Sequence, residues 1–569
     1  MDHWRLAMAG RIEDGRMALA APRWAVAFKT CAWDGFVERH ARRLAEAAPG
    51  CDPANRPAVE LKPCAAREIL NSQIMTHNRR DFLRRAASSS MLALLPRWMR
   101  AERAHTRTAT LYVTDAMEKH AARAPLHWVK AVPGAPRPTL EIDSTRQFQP
   151  ILGFGAALTD ASCFLLSGMP AAARRAFLTE IYSPAGLNLN MGRCCIGSSD
   201  YSRSIYSYDD VLDDMNLDHF SLRHDEAYIL PVLREVREIN PNLFLKAAPW
   251  SPPGWMKTYG TTFGGRTTEN YLGPYAHGLW ELSNGSMVGK GGWMSEKYLG
   301  VYAQYLWKFL QGYARAGVPV RALSSQNEIV TTQYGRMPAC RWSPELEAVF
   351  IRDHLGPLLR AQHQQTQIWL LDHNYNFYER VAWQLQDQQL CKFVDGVAWH
   401  GYTGTPDQMS LLHQKDPNIP FYWTEGGPFL DDADYTTGWA KWAGIFTDVL
   451  ENWCRCAITW NLILDPRGKP NLGPYNCAGL VTLKDDGNLW RSGQYHALRH
   501  FSLHLQRDGR RIASQTAVPG LRHLAVENPD GTFALVMTNP GEAKDLRLVV
   551  AGQQLSFSIP RDSVATLAW

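Results

Sequence analysis

The stretch Arg321-Ala-Leu-Ser-Ser-Gln-Asn-Glu328 decides how this chain is read. It rises as a short apolar run out of the turn Ala316-Gly-Val-Pro319, becomes polar, and ends with an amide beside a carboxylate. A barrel strand has this character when its body is buried and its C-terminal tip faces a pocket. A second tip of the same kind, Phe421-Tyr-Trp-Thr-Glu425, follows later in the chain.

Working outward, six more runs carry the same signature. They are 149–160 ending at Asp160, Leu189-Asn-Met-Gly-Arg193-Cys-Cys-Ile, Leu243-Phe-Leu-Lys-Ala-Ala-Pro-Trp250, 366–372, 393–400 and 456–462. Strand four is expected to run to Glu328. Between the strands, helical spacing is read over 225–240 (Ile229, Val232, Leu233, Val236 and Ile239, despite Pro231), 296–316, 344–363 and 439–451. Eight strands alternating with helices predict an α/β fold, a (β/α)8 TIM barrel over residues 147–504. Nearly every expected tip carries a polar or aromatic residue: Asp160, Trp250, Asn327, Glu328, Asp372, His400, Glu425 and Trp460. Two carboxylates on tips of one barrel, Glu328 and Glu425, form the acid and nucleophile or base that glycoside cleavage needs. Asp160 would grip two neighbouring sugar hydroxyls, cap the helix after it, or do both. For Arg193, pairing with carboxylates inside the mouth and contact with substrate are both open.

Beyond residue 510 the period changes to strict alternation, as in Leu555-Ser-Phe-Ser-Ile559, with turns at Pro529-Asp-Gly531 and Asn539-Pro-Gly541. A small antiparallel β-sandwich side domain is expected from residues 505–569, completed by short strands within 106–146. Ahead of these, Met75-Thr-His-Asn-Arg79-Arg80-Asp-Phe82-Leu83-Arg84-Arg85 leads into a short, acid-free apolar run. That is the pattern of a twin-arginine export signal, assigned to 75–105, and it implies periplasmic or secreted protein. Residues 1–74 then read as a misassigned start or a disordered extension.

The bulk numbers exclude several classes. The net charge of +5 is concentrated in the leader: Met1–Thr106 holds 18 Lys or Arg against 11 Asp or Glu, and the remainder 42 against 44. The body therefore offers no general field for nucleic acid, and no stretch is long and apolar enough for an integral membrane segment. Of 11 Cys, three precede residue 75, and the other eight match no zinc spacing, so buried free thiols are expected rather than a disulfide framework. Gly153-x-Gly155 lacks the third glycine of a dinucleotide loop, Leu158 standing in its place. Neither His-Glu-x-x-His nor Gly-x-Ser-x-Gly occurs. No cofactor and no metal is expected, the partner is a carbohydrate or glycolipid substrate, and oligomeric state is not legible.

The ordered set Gly-Phe-Gly-Ala-Ala-Leu-Thr-Asp160, Ser-Ser-Asp-Tyr-Ser202, Ala-Pro-Trp250-Ser-Pro-Pro-Gly-Trp255-Met-Lys, Ser-Gln-Asn327-Glu328, Trp-His400-Gly-Tyr402, Thr-Glu425-Gly and Trp460-Asn-Leu resembles glycoside hydrolase family 30. That family includes acid β-glucosidase (glucosylceramidase). The resemblance implies a retaining enzyme with Glu328 as acid/base and Glu425 as nucleophile. It implies Asp160, Trp250, Asn327 and Trp460 as sugar contacts, with His400 and Tyr402 near the nucleophile. An exo-acting β-glucosidase or glucosylceramidase is the first expectation and an endo-β-1,6-glucanase the second. Animal glucosylceramidases carry an aromatic residue where Gly401 stands, and His-Gly-Tyr is similar to bacterial and fungal members acting on β-1,6-glucan. The loops 258–296 and 431–437 would decide between pocket and cleft. A sugar-binding protein that has lost catalysis is the reading from another class.

Overall fold

The computed structural model describes residues 108–131, 139–258, 280–281, 287–288, 292–330 and 337–569. The 1–74 extension, the 75–105 signal and most of the 258–296 loop lie outside the described residues.

Eight parallel strands close into a barrel: β1 (Gly153–Ala157), β2 (Met191–Ile196), β3 (Phe244–Pro249), β4 (Val320–Leu323), β5 (Gln367–Asn374), β6 (Gly396–His400), β7 (Phe421–Glu425) and β8 (Cys454–Thr459). Each pairs with its sequence neighbours, and β8 pairs with β1 to complete the ring. Every residue of β1, β2, β6 and β7 is buried, as expected of a parallel sheet covered by helices. The barrel interior holds a layer of Met191, Ala322, Trp369, Ala398, Tyr422, Cys456 and Ile458, in which Trp369 stacks on Tyr422 at 3.7 Å. Gly155 owes its place to strand packing rather than to a phosphate: a Cβ there would meet the Met191 carbonyl oxygen at 2.5 Å.

Two expectations are corrected in detail. Strand β4 ends at Leu323, not Glu328, because Glu328 adopts a left-handed backbone (φ 47°) that leaves the pleat. The polar tail stays anchored, with Asn327 N donating to Pro249 O (2.7 Å) and Glu328 N to Asp372 O (2.9 Å). The helix expected over 225–240 is two, Arg223–Ala227 and Ile229–Ile239, broken at Tyr228 rather than at Pro231. Pro231 falls in the first turn of the second helix, where its missing N–H costs nothing.

The terminal domain is a ten-stranded sheet with its own core of Leu111, Leu535, Met537, Leu546, Leu548 and Leu567 among others. Thr110–Thr114 pairs with Ser563–Ala568, and Leu140–Pro150 lies between Arg510–Thr516 and Lys544–Val550. The N-terminal strands thus complete the C-terminal sheet. All pairs are antiparallel except Leu140–Pro150 with Lys544–Val550. Helix Gly493–Ser502, capped by Ser492 Oγ, joins this domain to the barrel. Its buried His500 bonds Thr566 Oγ1 (2.9 Å) and Thr114 Oγ1 (2.8 Å), one on each of two paired strands.

Candidate active site

At the C-terminal ends of the strands lies a cavity of about 470 Å³. Glu328, from the segment after β4, and Glu425, from the end of β7, both line it. One carboxylate oxygen of each lies within 4.8 Å of the other and of a His400 ring nitrogen. The left-handed backbones of Glu328, Asp372 (φ 48°) and Asn461 (φ 49°) cluster at this end. Such conformations are uncommon for residues with a side chain and concentrate at functional sites.

Beneath the two carboxylates runs a fully buried ionic network. Arg193 of β2 donates to Glu425 Oε2, to Asn327 Oδ1 (2.6 Å) and to Asp372 Oδ2 (3.2 Å). The guanidinium also sits over the rings of Trp250 (4.9 Å) and Trp460 (5.4 Å), which stack on each other at 5.3 Å. Lys246 of β3 donates to Asp372 Oδ2, while Thr424 Oγ1 (2.7 Å) and His400 Nε2 (3.2 Å) bond the other oxygen. Asp372 is pushed well below the usual carboxylate range: burial alone would raise it, but Arg193 and Lys246 outweigh burial. Burial brings Lys246 down to about 8. Arg193 is therefore the partner of the carboxylates, and nothing places it on the cavity wall.

His400 spans the acids, with Nε2 toward Asp372 and Nδ1 at 3.4 Å from Glu328 Oε1. Burial opposes its charge, yet Glu425, Asp372 and Glu328 raise its pKa. Glu328 is correspondingly lowered: burial would raise it, but the His400 hydrogen bond and the charges of His373, His400 and Arg193 prevail. Tyr402, 37% exposed overall, donates from its hydroxyl to Glu425 Oε1 at 2.9 Å, and desolvation of that end together with the Glu425 charge pushes the phenol pKa up. Asn327, its oxygen engaged by Arg193, has its NH2 to offer.

Of the eight residues expected at the site, Glu328, Glu425, Trp250, Asn327, Tyr402 and Trp460 line the cavity. His400 lies behind it, fully buried. Asp160 is the correction. It is the first residue of helix Asp160–Gly168, with Thr159 as the cap, and is not among the lining residues. Its carboxylate accepts from Arg203 N (3.1 Å), His224 Nε2 (2.7 Å) and Tyr228 Oη (2.8 Å), which hold it in a structural cluster.

Asp200 stands where Asp160 was expected. It lines the cavity, is buried, and its Oδ1 has no hydrogen-bond partner. Burial and the charges of Glu425 and Glu328 push its pKa well above the usual range. The sequence signal available was its place one loop beyond β2, in Ser-Ser-Asp-Tyr. His373, Asn374, Asn376, Phe377, Phe429 and Tyr475 also line the cavity, and no sequence pattern singles them out.

Glu328, His400 and Glu425 are close enough to hold a metal ion. The donor set is a poor one for a cation, because Arg193 and Lys246 already sit against the same carboxylate network. All eight described cysteines are free thiols. No helix among the described residues is long and apolar enough to cross a membrane.

Comparison with known proteins agrees with this architecture. Residues 151–505 match the glycosyl hydrolase family 30 TIM-barrel domain and 508–567 the family's beta sandwich domain. A putative glucosylceramidase of Caenorhabditis elegans is 29% identical over 452 residues, covering 75% of this chain and 82% of the relative. An endo-1,6-beta-D-glucanase of Aspergillus fumigatus is 30% identical over 449 residues, covering 75% and 86%. Among solved structures, an endo-beta1,6-glucanase superimposes with a TM-score of 0.71 at 27% identity, over 81% of this chain and 99% of its own.

Proposed function

Since the chain belongs to glycosyl hydrolase family 30, we propose that it hydrolyses β-glucosidic bonds with retention of configuration, Glu425 acting as nucleophile and Glu328 as acid/base. The observation that carries this reading is the approach of the two carboxylates within 4.8 Å in one cavity. Retaining glycosidases hold their carboxyl groups about 5–5.5 Å apart, whereas inverting ones leave roughly 6.5–9.5 Å for a water.

In the first half-reaction Glu425 Oε2 or Oε1 attacks the anomeric carbon, the glycosidic C–O bond breaks, and Glu328 gives its proton to the departing oxygen. In the second, Glu328 takes a proton from water as that water attacks, and the ester bond to Glu425 breaks. Tyr402 and Arg193 orient the nucleophile from opposite sides. The Asn327 NH2 donates to the sugar 2-hydroxyl as positive charge develops. Asp200, with its unpartnered oxygen, grips the glycone hydroxyls, and Trp250 and Trp460 wall the glycone.

Phe377, Phe429 and Tyr475 add aromatic surface to the lining, which supports exo action on a terminal glucosyl unit, whether carried by lipid or by sugar. One observation favours endo-β-1,6-glucanase as the second reading. An endo-beta1,6-glucanase is among the solved structures this chain resembles over most of its length, at 27% identity and a TM-score of 0.71.

The test is Glu425→Gly with azide as external nucleophile. Rescued turnover giving the inverted glycosyl azide is expected, and failure of rescue in a folded protein counts against the assignment. Parallel assays on p-nitrophenyl β-glucoside, a glucosylceramide analogue and a β-1,6-glucan separate the two readings. Export by the twin-arginine route is part of the proposal; N-terminal sequencing of secreted protein beginning ahead of residue 75 overturns it.

A further inference from the structure

A second cavity, of about 520 Å³, lies on the helices that follow β4 and β5 and shares no lining residue with the catalytic one. One wall is Trp383, at the end of helix Tyr378–Gln384, whose side chain is 47% exposed. An indole left this open on a helix otherwise packed into the barrel presents a flat apolar face to whatever enters.

The rest of the lining is polar and fixed. Gln384 is fully buried, its Nε2 donating to Pro344 O (3.1 Å) and Glu347 Oε2 (2.9 Å), while its Oε1 has no partner. A buried amide oxygen without a donor is unfavourable, and a ligand hydroxyl would relieve it. Arg352 is held by a two-toothed contact with Asp353 (2.8 and 2.6 Å) and by Asp387 (2.8 Å), so its guanidinium is a rigid plate. It belongs to a π-helical stretch, Phe350–Leu355, and π turns accumulate at functional sites. Arg352 is already charge-matched and Glu345 adds a further carboxylate to the lining, so the groove offers an anion nothing, and its carboxylates can accept from sugar hydroxyls. An aromatic face, an unsatisfied acceptor, and fixed donors and acceptors without spare positive charge match a neutral polyhydroxylated ring.

From this juxtaposition we propose that the Trp383 groove is a secondary saccharide site that holds a neutral β-glucan chain while another part of the chain enters the catalytic cavity. The proposal rests on the glucoside-hydrolase reading for the identity of the sugar. It also rests on position. Phe377, at the end of the 3-10 turn Tyr375–Phe377, lines the catalytic cavity, and Trp383, on the helix Tyr378–Gln384 that follows directly, lines the groove.

The test uses the full-length protein carrying Glu425→Gln, so that polymer is not consumed, in native gels cast with soluble β-1,6-glucan. Retardation by the polymer is expected, weakened about fivefold or more by adding Trp383→Ala, as loss of one aromatic contact implies. Trp383→Phe should keep most of it. In the otherwise wild-type enzyme, Trp383→Ala should leave kcat/KM on p-nitrophenyl β-glucoside unchanged and lower it on the polymer. Equal retardation of the Trp383→Ala and parent proteins, or no retardation of either, overturns the groove while the p-nitrophenyl glucoside assay still reports separately on the catalytic reading. Loss of small-substrate turnover in Trp383→Ala also overturns it, since the groove would then be structural.

Discussion

Asp200→Ala tests the site where structure and sequence pattern part company. Asp200 is buried against the cavity with one oxygen unpartnered, whereas both oxygens of Asp160 are engaged by Arg203 N, His224 and Tyr228. If Asp200 holds two glycone hydroxyls, its removal costs two hydrogen bonds. At about 1 kcal/mol each for a neutral carboxyl the loss is roughly 30-fold in kcat/KM, and at about 2 kcal/mol each for a carboxylate it approaches 10³-fold. The pKa, raised by burial and by Glu425 and Glu328, makes the lower figure the floor. The assay is kcat/KM on p-nitrophenyl β-glucoside and its monodeoxy analogues, with wild type and variant side by side. The deoxy analogues that lose rate with wild type at the Asp200-bound positions should lose little more with Asp200→Ala, because the partner is already gone. Asp160→Ala should instead lower the midpoint of thermal unfolding with a smaller effect on kcat/KM per folded molecule. An Asp200→Ala enzyme within about fivefold of wild type refutes the assignment, since a single ordinary hydrogen bond accounts for that much.

Arg193→Met should destabilise the fold by about 3–5 kcal/mol in urea unfolding, because Glu425 and Asp372 lose a buried counter-charge together. Tyr402→Phe removes the hydroxyl bond to Glu425 and should lower kcat about 10- to 100-fold without loss of fold, read by steady-state kinetics with circular dichroism as control. His400→Asn removes the hydrogen bond and charge that hold Glu328 down, so the limb of the kcat/KM–pH profile due to Glu328 should move to higher pH; a limb that stays or falls contradicts the network. His504 is brought down to about 4 by burial, so folded protein carries it neutral where the unfolded chain binds a proton. Stability is then fully present above about pH 6.5 and falls as pH drops toward 4, by about 2 kcal/mol at pH 5 from this residue alone. Denaturant unfolding at pH 7 and pH 5 should show that loss, reduced in His504→Asn.

The barrel was legible because its signals are local. Each of the eight buried runs announces itself by composition, and the helix expected over 439–451 is Trp439–Glu451. Glu328 and Glu425 were legible because a carboxylate ending an apolar run has few other reasons to be there. Asp160 misled for the same reason: it too ends an apolar run. What diverts it is His224, on the helix Arg223–Ala227, and Tyr228, at the break that follows it, both more than 60 residues away, a contact that no local pattern contains. Lys246, the lone charge in Leu243-Phe-Leu-Lys-Ala-Ala-Pro-Trp, was a visible anomaly whose meaning depended on Asp372 facing it across the barrel. The Trp383 groove was hidden in an ordinary amphipathic helix.

The buried charges also explain how one site can rest and react without changing its total charge. Burial and the charges of Glu425 and Glu328 push the Asp200 pKa up, while three further acids (Asp372, Glu328 and Glu425) face three basic side chains, Arg193, Lys246 and His400. A buried cluster of this kind survives only if it is balanced, since each unmatched charge costs several kcal/mol in so dry a place. Across their 3.4 Å contact the Glu328 pKa is lowered by the His400 hydrogen bond and charge, and the His400 pKa is raised by the charges of Glu425, Asp372 and Glu328. On the proposed mechanism the acid must carry a proton when the bond breaks. Transfer from Nδ1 to Oε1 supplies it while leaving the cluster neutral, two carboxylates then facing two cations. A sugar that displaces water from the cavity removes the solvation of the Glu328 carboxylate and so favours that transfer. On the proposed mechanism substrate entry would arm the acid in this way, with Asp372, paired to Lys246 and Arg193, holding the imidazole at Nε2.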